Sequence, residues 1–284
     1  MTDTKRRKFL WITIGVGCFL LAALLLTVIL LETRKPEPAA AETTTAPTTE
    51  ATTLPPPPAN VFDPVDFEYG EDGYLTCKAG DYTRGIDVSS FQGEIDWQAV
   101  ADSGVTFAMI RAGGRGYGEG TLYEDSRAQA NYEGAKAAGL KVGAYFFSQA
   151  ITAQEAVEEA EYLLELTKDW ELEMPVVYDW EYIDITARTG FVSKQTLTNC
   201  MLAFCDRIHE AGLQAMIYFN PDHSRDLFYI EQITEYPFWL AMYSDWMTYP
   251  YKIDMWQYTC EGTVPGIEGN VDINLYFTYV DTPT

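Results

Sequence analysis

From Arg84 onward the chain carries eight short apolar runs, and most of the gaps between them are long enough for a helix. The runs cover Gly85 to Val88, Val105 to Ile110, Lys141 to Phe147, Pro175 to Tyr178, Gln214 to Phe219, Phe238 to Tyr243, Ile253 to Gln257 and Val271 to Tyr276. Helix-patterned stretches such as Tyr123 to Ala138, Thr152 to Asp169 and Ser193 to Ala211 fall between strands, so the order alternates. Eight strands with about five helices fit poorly in an open doubly wound sheet and naturally in a closed barrel whose last connections are short. The expected fold class is α/β, an irregular TIM-like (β/α)5(β)3 barrel over residues 83–280. In such barrels the reacting groups stand at the C-terminal ends of the strands.

Local signals agree with that order. Thr152-Ala-Gln-Glu155 is a capping box, and Ala156, Ala160, Leu163 and Leu164 then share one helix face. Glu155, Glu158, Glu159 and Glu165 fall largely elsewhere, which predicts a solvated acidic face. Ala138-Gly139-Leu140 leads to Tyr145 as Ala211-Gly212-Leu213 leads to Tyr218, and Ser103-Gly104-Val105 opens a strand similarly. Glycine just past a helix end supplies the left-handed cap before the chain turns into a buried strand.

The N-terminal part has a different character. Phe9 to Leu31 carries no charge, long enough as a helix at about 1.5 Å per residue to cross a hydrocarbon core of roughly 30 Å. Lys5, Arg6, Arg7 and Lys8 precede it, so the positive-inside rule predicts a cytoplasmic tail (1–8), a transmembrane helix (9–31) and an extracellular remainder. A cleaved signal peptide ending near Ala39-Ala40-Ala41 is the competing reading. Residues 32–59, rich in Pro, Thr, Ala and Glu, are expected as a disordered linker stiffened by Pro55 to Pro58, and 60–82 as a lead-in of unassigned structure.

Composition removes several chemistries. A formal charge of −23 argues against nucleic acid, whose phosphates require clustered Lys and Arg. With only His209 and His223, and no C-x-x-C among five cysteines, no zinc site or dithiol centre is expected. Gly113 to Gly120 meets neither a G-x-G-x-x-G register nor a Walker lysine and reads as a flexible rim loop. No cofactor is expected. A Cys77–Cys260 bridge is open in an oxidising exterior, and the spacing of Cys200 and Cys205 is awkward for one between them.

The fourth strand ends in Tyr178-Asp179-Trp180-Glu181, with two carboxylates at i and i+2. In extended backbone these share a face, Cα atoms roughly 6 to 7 Å apart. Burial and repulsion would keep one protonated and its neighbour ionised, the division that glycosidic cleavage uses. The plainer reading is a helix cap or a pairing with Arg188. Asp87 ends the first strand and Asp272 lies in the last, so barrel closure would gather four acids on one rim. Tyr145, Trp180, Tyr218, Trp239, Tyr243, Trp256 and Tyr258 cluster at the same strand ends, where aromatic faces can stack on sugar rings, although each also suits a core. Arg111 and Arg115 are candidates to pair with rim carboxylates or touch substrate, and Trp97 is assigned to packing.

These residues resemble glycoside hydrolase family 25, the lysozymes that act as N-acetylmuramidases. The resemblance spans about Arg84 to Phe277 and rests on Gly85-Ile-Asp87-Val-Ser-Ser-Phe-Gln92-Gly93, Ile95-Asp-Trp97, Phe107-Ala-Met-Ile-Arg111-Ala, Gly143-Ala-Tyr145-Phe-Phe, Asp179-Trp-Glu181, Trp256-Gln257-Tyr258 and Val271-Asp272-Ile-Asn274, in order. It implies hydrolysis of the β-1,4 bond between N-acetylmuramic acid and N-acetylglucosamine in peptidoglycan, by a monomeric catalytic domain without cofactor. Glu181 would be the general acid, Asp179 would steer the 2-acetamido group, and Asp87 and Asp272 would complete the acidic floor. Tyr145, Tyr218, Trp239, Trp256 and Arg111 are the expected substrate contacts. Gly113-Gly114 and Phe146 depart from a polar pair and a histidine found in many members, which bears on subsites rather than the acid chemistry. A family 18 type chitinase or endo-N-acetylglucosaminidase would need aspartates where Met174 and Val177 stand. A tethered glycan-binding domain with a dead site is the rival from another class.

Overall fold

The computed structural model describes residues 54–279. The expected basic tail, the transmembrane segment and the linker as far as residue 53 lie outside the described residues. Among the described residues, no helix is long and apolar enough to cross a membrane.

The chain runs β1 (Phe67–Tyr69), β2 (Leu75–Cys77), β3 (Asp81–Val88), α1 (Trp97–Asp102), β4 (Phe107–Arg115), β5 (Leu122–Glu124), α2 (Ala128–Ala137), β6 (Lys141–Ser148), α3 (Ala153–Leu166) and β7 (Val176–Trp180). It continues through α4 (Lys194–Glu210), β8 (Ala215–Phe219), α5 (Pro221–Asp226), β9 (Phe238–Ala241), β10 (Met255–Gly262) and β11 (Val271–Thr278). Strands pair in the order β3-β11-β10-β9-β8-β7-β6-β4, and β3 pairs back onto β4, closing an eight-stranded barrel. Around the barrel, pairing is parallel among β3, β4, β6, β7, β8, β9 and β10, whereas β11 is antiparallel to both neighbours. Five β/α units followed by three strands is the expected architecture, because β9, β10 and β11 follow one another without a helix.

Alternation along each strand separates two cores. Phe107, Met109, Val177, Met216, Trp239 and Met255 fill the barrel interior, while Ile86, Ile110, Val142, Tyr178 and Ile217 face outward into the layer under the helices. The interior is tight. A Cβ at Gly85 would come within 2.2 Å of the Phe107 ring, so this strand position has room only for glycine.

Four expectations need correcting, and one segment left unassigned takes on structure. The helix expected from Tyr123 begins only at Ala128, because Leu122–Glu124 is a short strand that folds back on the end of β4. The Gly113 to Gly120 segment is therefore the tip of a hairpin, not a free loop, and Arg115 is buried in it. Glu159 does not belong to a solvated face: it is fully buried on α3 beside Ala156, Ala160 and Leu163, paired with Arg115. The lead-in is structured, since β1 and β2 form a hairpin that packs Phe62, Phe67 and Leu75 onto the outer core. Finally, the last linker residues rest on the barrel: Ala59 bridges Tyr251, and Lys252 N donates to the Pro58 carbonyl at 2.7 Å. The described cysteines, Cys77, Cys200, Cys205 and Cys260, are all free thiols.

Candidate active site

At the C-terminal end of the barrel lies a cleft of about 520 Å³. Asp87, Asp179, Glu181 and Asp272 all line it, so closure gathers the four acids that are far apart along the chain. Strand register explains how. Asp87 is opposite Asp272 across β3 and β11, and Asp179 is opposite Tyr218 across β7 and β8. Within β7 the side chains of Val177 and Asp179 point inward and those of Tyr178 and Trp180 outward, a direct consequence of the two-residue period.

The floor is held by amides. Asp87 Oδ2 accepts from Gln257 Nε2 at 2.9 Å and from Asn274 Nδ2 at 2.8 Å. Tyr218 and Tyr243 hydroxyls donate to Gln257 Oε1 at 3.0 and 3.2 Å, and Trp239 Nε1 donates to Asn274 Oδ1 at 2.8 Å. Gln257 and Asn274 were given no role in the sequence reading. Both stand at inward strand positions, Asn274 two residues beyond Asp272, so alternation was the signal that could have found them.

Crowding raises every acid. Burial first, then repulsion from Asp272, pushes Asp87 well above the usual carboxylate range, against the two amide hydrogen bonds. Burial and the nearby Glu181 do the same to Asp179, whose buried Oδ1 has no hydrogen-bond partner. Asp272 is pushed up to about 6, chiefly by burial. Glu181 is raised by burial and partly offset by Arg111. Its side chain is nonetheless the most open of the four, standing one residue beyond the end of β7 on the cleft wall. Burial and mutual repulsion thus raise the proton affinity of the set, and the most open member, Glu181, can present its proton to a ligand.

Arg111 lines the cleft with its guanidinium fixed in place. Asp125, fully buried, accepts from Arg111 Nε at 2.8 Å and lies 2.7 Å from Nη2, while Ser90 Oγ accepts from Nη2 at 3.2 Å. The same cation sits 5.0 Å from the centre of the exposed Phe91 ring, at the cleft edge. Tyr145, Tyr218, Trp239 and Tyr243 also line the cleft.

Trp256 does not. It lies at an outward position of β10, fully buried, its ring edge-on to Phe67 at 5.0 Å and its Nε1 donating to the Met242 carbonyl. Trp180 and Tyr258 are outward for the same reason. Arg115 lines the cleft but its guanidinium is turned to Glu159, and Arg188 pairs with Glu155 rather than with Asp179 or Glu181. Trp97 packs at the start of α1, as expected.

The family model described as "Glycosyl hydrolases family 25" matches residues 86–267, which include Asp87, Asp179 and Glu181 and most of the barrel. The chain belongs to glycosyl hydrolase family 25. Among curated relatives of this family, the autolytic lysozyme of Clostridium acetobutylicum is 31% identical over 195 residues, covering 67% of this chain and 55% of that protein. Lysozyme M1 of Streptomyces globisporus is 28% identical over 207 residues, covering 68% and 67% respectively. The chain thus spans little more than half the length of the first of these relatives. The solved structure of a bacterial lysozyme from Streptomyces coelicolor superposes with a TM-score of 0.56 at 26% identity, covering 70% of this chain and 92% of that one. That alignment agrees with a family 25 barrel as the body of the described residues.

Proposed function

We propose that this protein is a peptidoglycan hydrolase of the muramidase type, cleaving the β-1,4 bond between N-acetylmuramic acid and N-acetylglucosamine. The observation that carries the reading is the convergence of Asp87, Asp179, Glu181 and Asp272 on one cleft where burial raises the proton affinity of all four. Family membership and relatives named lysozymes support the substrate class.

The roles follow from access. Asp87 lies on the floor with Oδ2 occupied by two amides, so it is poorly placed to pass a proton. Glu181 is raised yet open to the cleft, and it serves as the general acid that protonates the departing glycosidic oxygen. Asp179, two residues back on the same face, keeps Oδ1 free to accept from the N–H of the substrate's 2-acetamido group. Steered in this way, the acetamido oxygen assists departure at the anomeric carbon, and a water opens the resulting intermediate with retention. Asp272, pushed up only to about 6 and so ionised at neutral pH, favours the positive charge that develops on the sugar ring. Arg111 is offered to an anionic group of the muramoyl unit, and Tyr145 and Tyr218 form the sugar-contacting wall over the buried Trp239.

The wider setting is part of the same proposal. Residues 9–31 anchor the chain in the cell membrane with residues 1–8 cytoplasmic, and the linker carries a monomeric catalytic domain into the wall outside.

A family 18 type reading loses further ground, because Met174 and Val177 occupy its first two acidic positions and pack in the barrel interior. Digestion of purified peptidoglycan followed by identification of the new reducing end tests the proposal. Muramic acid at that end supports it, glucosamine would assign the rival cleavage, and absence of product would leave a binding domain.

A further inference from the structure

Behind the acid-bearing wall of the cleft lies a buried polar hub centred on Gln149, which follows directly on β6 and is fully buried. Its Nε2 donates to the backbone carbonyls of Ser148 at 2.9 Å and Glu181 at 3.0 Å, and its Oε1 accepts from Thr189 Oγ1 at 2.8 Å. Its own backbone is held as tightly: N donates to Glu159 Oε1 at 3.3 Å, and O accepts from Arg188 Nη1 at 2.6 Å. Glu159 is fixed in turn by Arg115 Nε at 2.8 Å and Ser148 Oγ at 2.5 Å, and Arg188 makes a forked contact to Glu155 at 2.7 and 2.9 Å.

Such a network is a poor way to gain stability. Burying an ion pair and an amide costs desolvation that apolar side chains of similar volume would avoid, whereas a fully satisfied network specifies one geometry. The geometry it specifies is that of Glu181. β7 ends at Trp180, so Glu181 stands beyond the strand ladder, and the amide of Gln149 holds its carbonyl. The carbonyls of Ser148 and Glu181 settle which way the amide turns: each can only accept, so Nε2 faces them and Oε1 is left to accept from the Thr189 hydroxyl.

We propose that Gln149 is a positioning residue for Glu181, its side-chain amide setting the direction in which the acid enters the cleft. The proposal rests on Glu181 being the general acid and adds the device that aims it. Glu159 and Thr189 act one step further back by fixing Gln149.

Gln149→Met keeps the length of the side chain and removes its hydrogen bonds. With peptidoglycan as substrate, kcat should fall about 10- to 100-fold, the scale of a small misplacement of a reacting group, while KM stays within about threefold. Introduced into Glu181→Gln, the same change should cost nothing more, because the group it aims is already gone. Thr189→Val removes only the donor to Oε1, loosening the amide, and should give a smaller loss of the same kind, deciding the matter if the methionine variant fails to fold. An unchanged kcat, or the same fold loss with and without the Glu181 carboxyl, overturns the positioning role. A Glu181→Gln protein as active as the parent removes the functional reading and this inference together; an inactive one beside a fully active Gln149→Met removes the inference alone.

Discussion

Trp239 Nε1 donates to Asn274 Oδ1 at 2.8 Å, and this single contact decides which end of the Asn274 amide faces Asp87. An indole N–H can only donate, so it must meet the amide oxygen and the amide nitrogen is turned to Asp87 Oδ2, 2.8 Å away. Trp239 therefore does two things at once, filling the barrel interior at the base of the cleft and orienting a donor beneath an acid. Trp239→Phe keeps most of the ring and removes the donor. One lost hydrogen bond of ordinary strength is about 1 kcal/mol, or roughly fivefold. We expect kcat/KM on purified peptidoglycan to fall by about that factor; a variant indistinguishable from the parent in that assay would show that the indole N–H is dispensable.

Glu181→Gln tests the acid directly. Loss of a general acid costs typically about 10² to 10⁴ in rate, and the change should show in kcat. Folding should not suffer. The carboxyl it replaces is disfavoured by burial and coupled to the repulsion that raises Asp179, so the neutral amide should melt no lower than the parent at pH 7. Steady-state rates with melting curves on the same samples check both halves.

The barrel could be read from the sequence because apolar runs spaced by helical stretches leave few ways to close a sheet. The acids could be read because each stands near a strand end. Which aromatic residues face the cleft was less legible, since Trp239 and Trp256 look alike until register places one inside and the other outside. Glu159 was misread for a related reason: helix periodicity places it near the edge of the apolar face, and only the partner Arg115, distant in sequence, accounts for its burial. Residues 60–82 lack strong periodicity because β1 and β2 are three residues each and bury isolated side chains.

The raised carboxyls make stability depend on pH with a definite sign. Asp272 is pushed up to about 6 and Glu159 to about 7, both mainly by burial, and Asp87, Asp179 and Glu181 are raised as well. A group that holds its proton more tightly when folded adds stability below its unfolded pKa and loses that contribution as pH climbs through the folded value. Glu155 and Glu173, lowered by Arg188 and Lys136 against a burial effect of opposite sign, favour folding above the ordinary carboxylate range instead. The two trends place greatest stability on the acid side of neutrality. Tm should decline between about pH 5 and 7.5, and the decline should be shallower in Asp272→Asn. A flat or rising Tm over that interval in the parent would contradict the sign.

Trp256 separates packing from substrate contact. Its ring lies between Phe67 of the lead-in hairpin and Tyr258 of its own strand, at 5.0 and 6.0 Å, with no share in the cleft. Truncation should open a cavity where the hairpin meets the barrel and cost about 3 to 5 kcal/mol, as large-to-small changes at buried tryptophans do. Because β10 also carries Gln257 on its inner side, the milder Trp256→Phe is the sharper probe. It should lower Tm while leaving KM for peptidoglycan within about twofold, the ring being outside the barrel wall and distant changes acting additively. A selective rise in KM without loss of Tm would instead mean that this side of β10 meets the glycan.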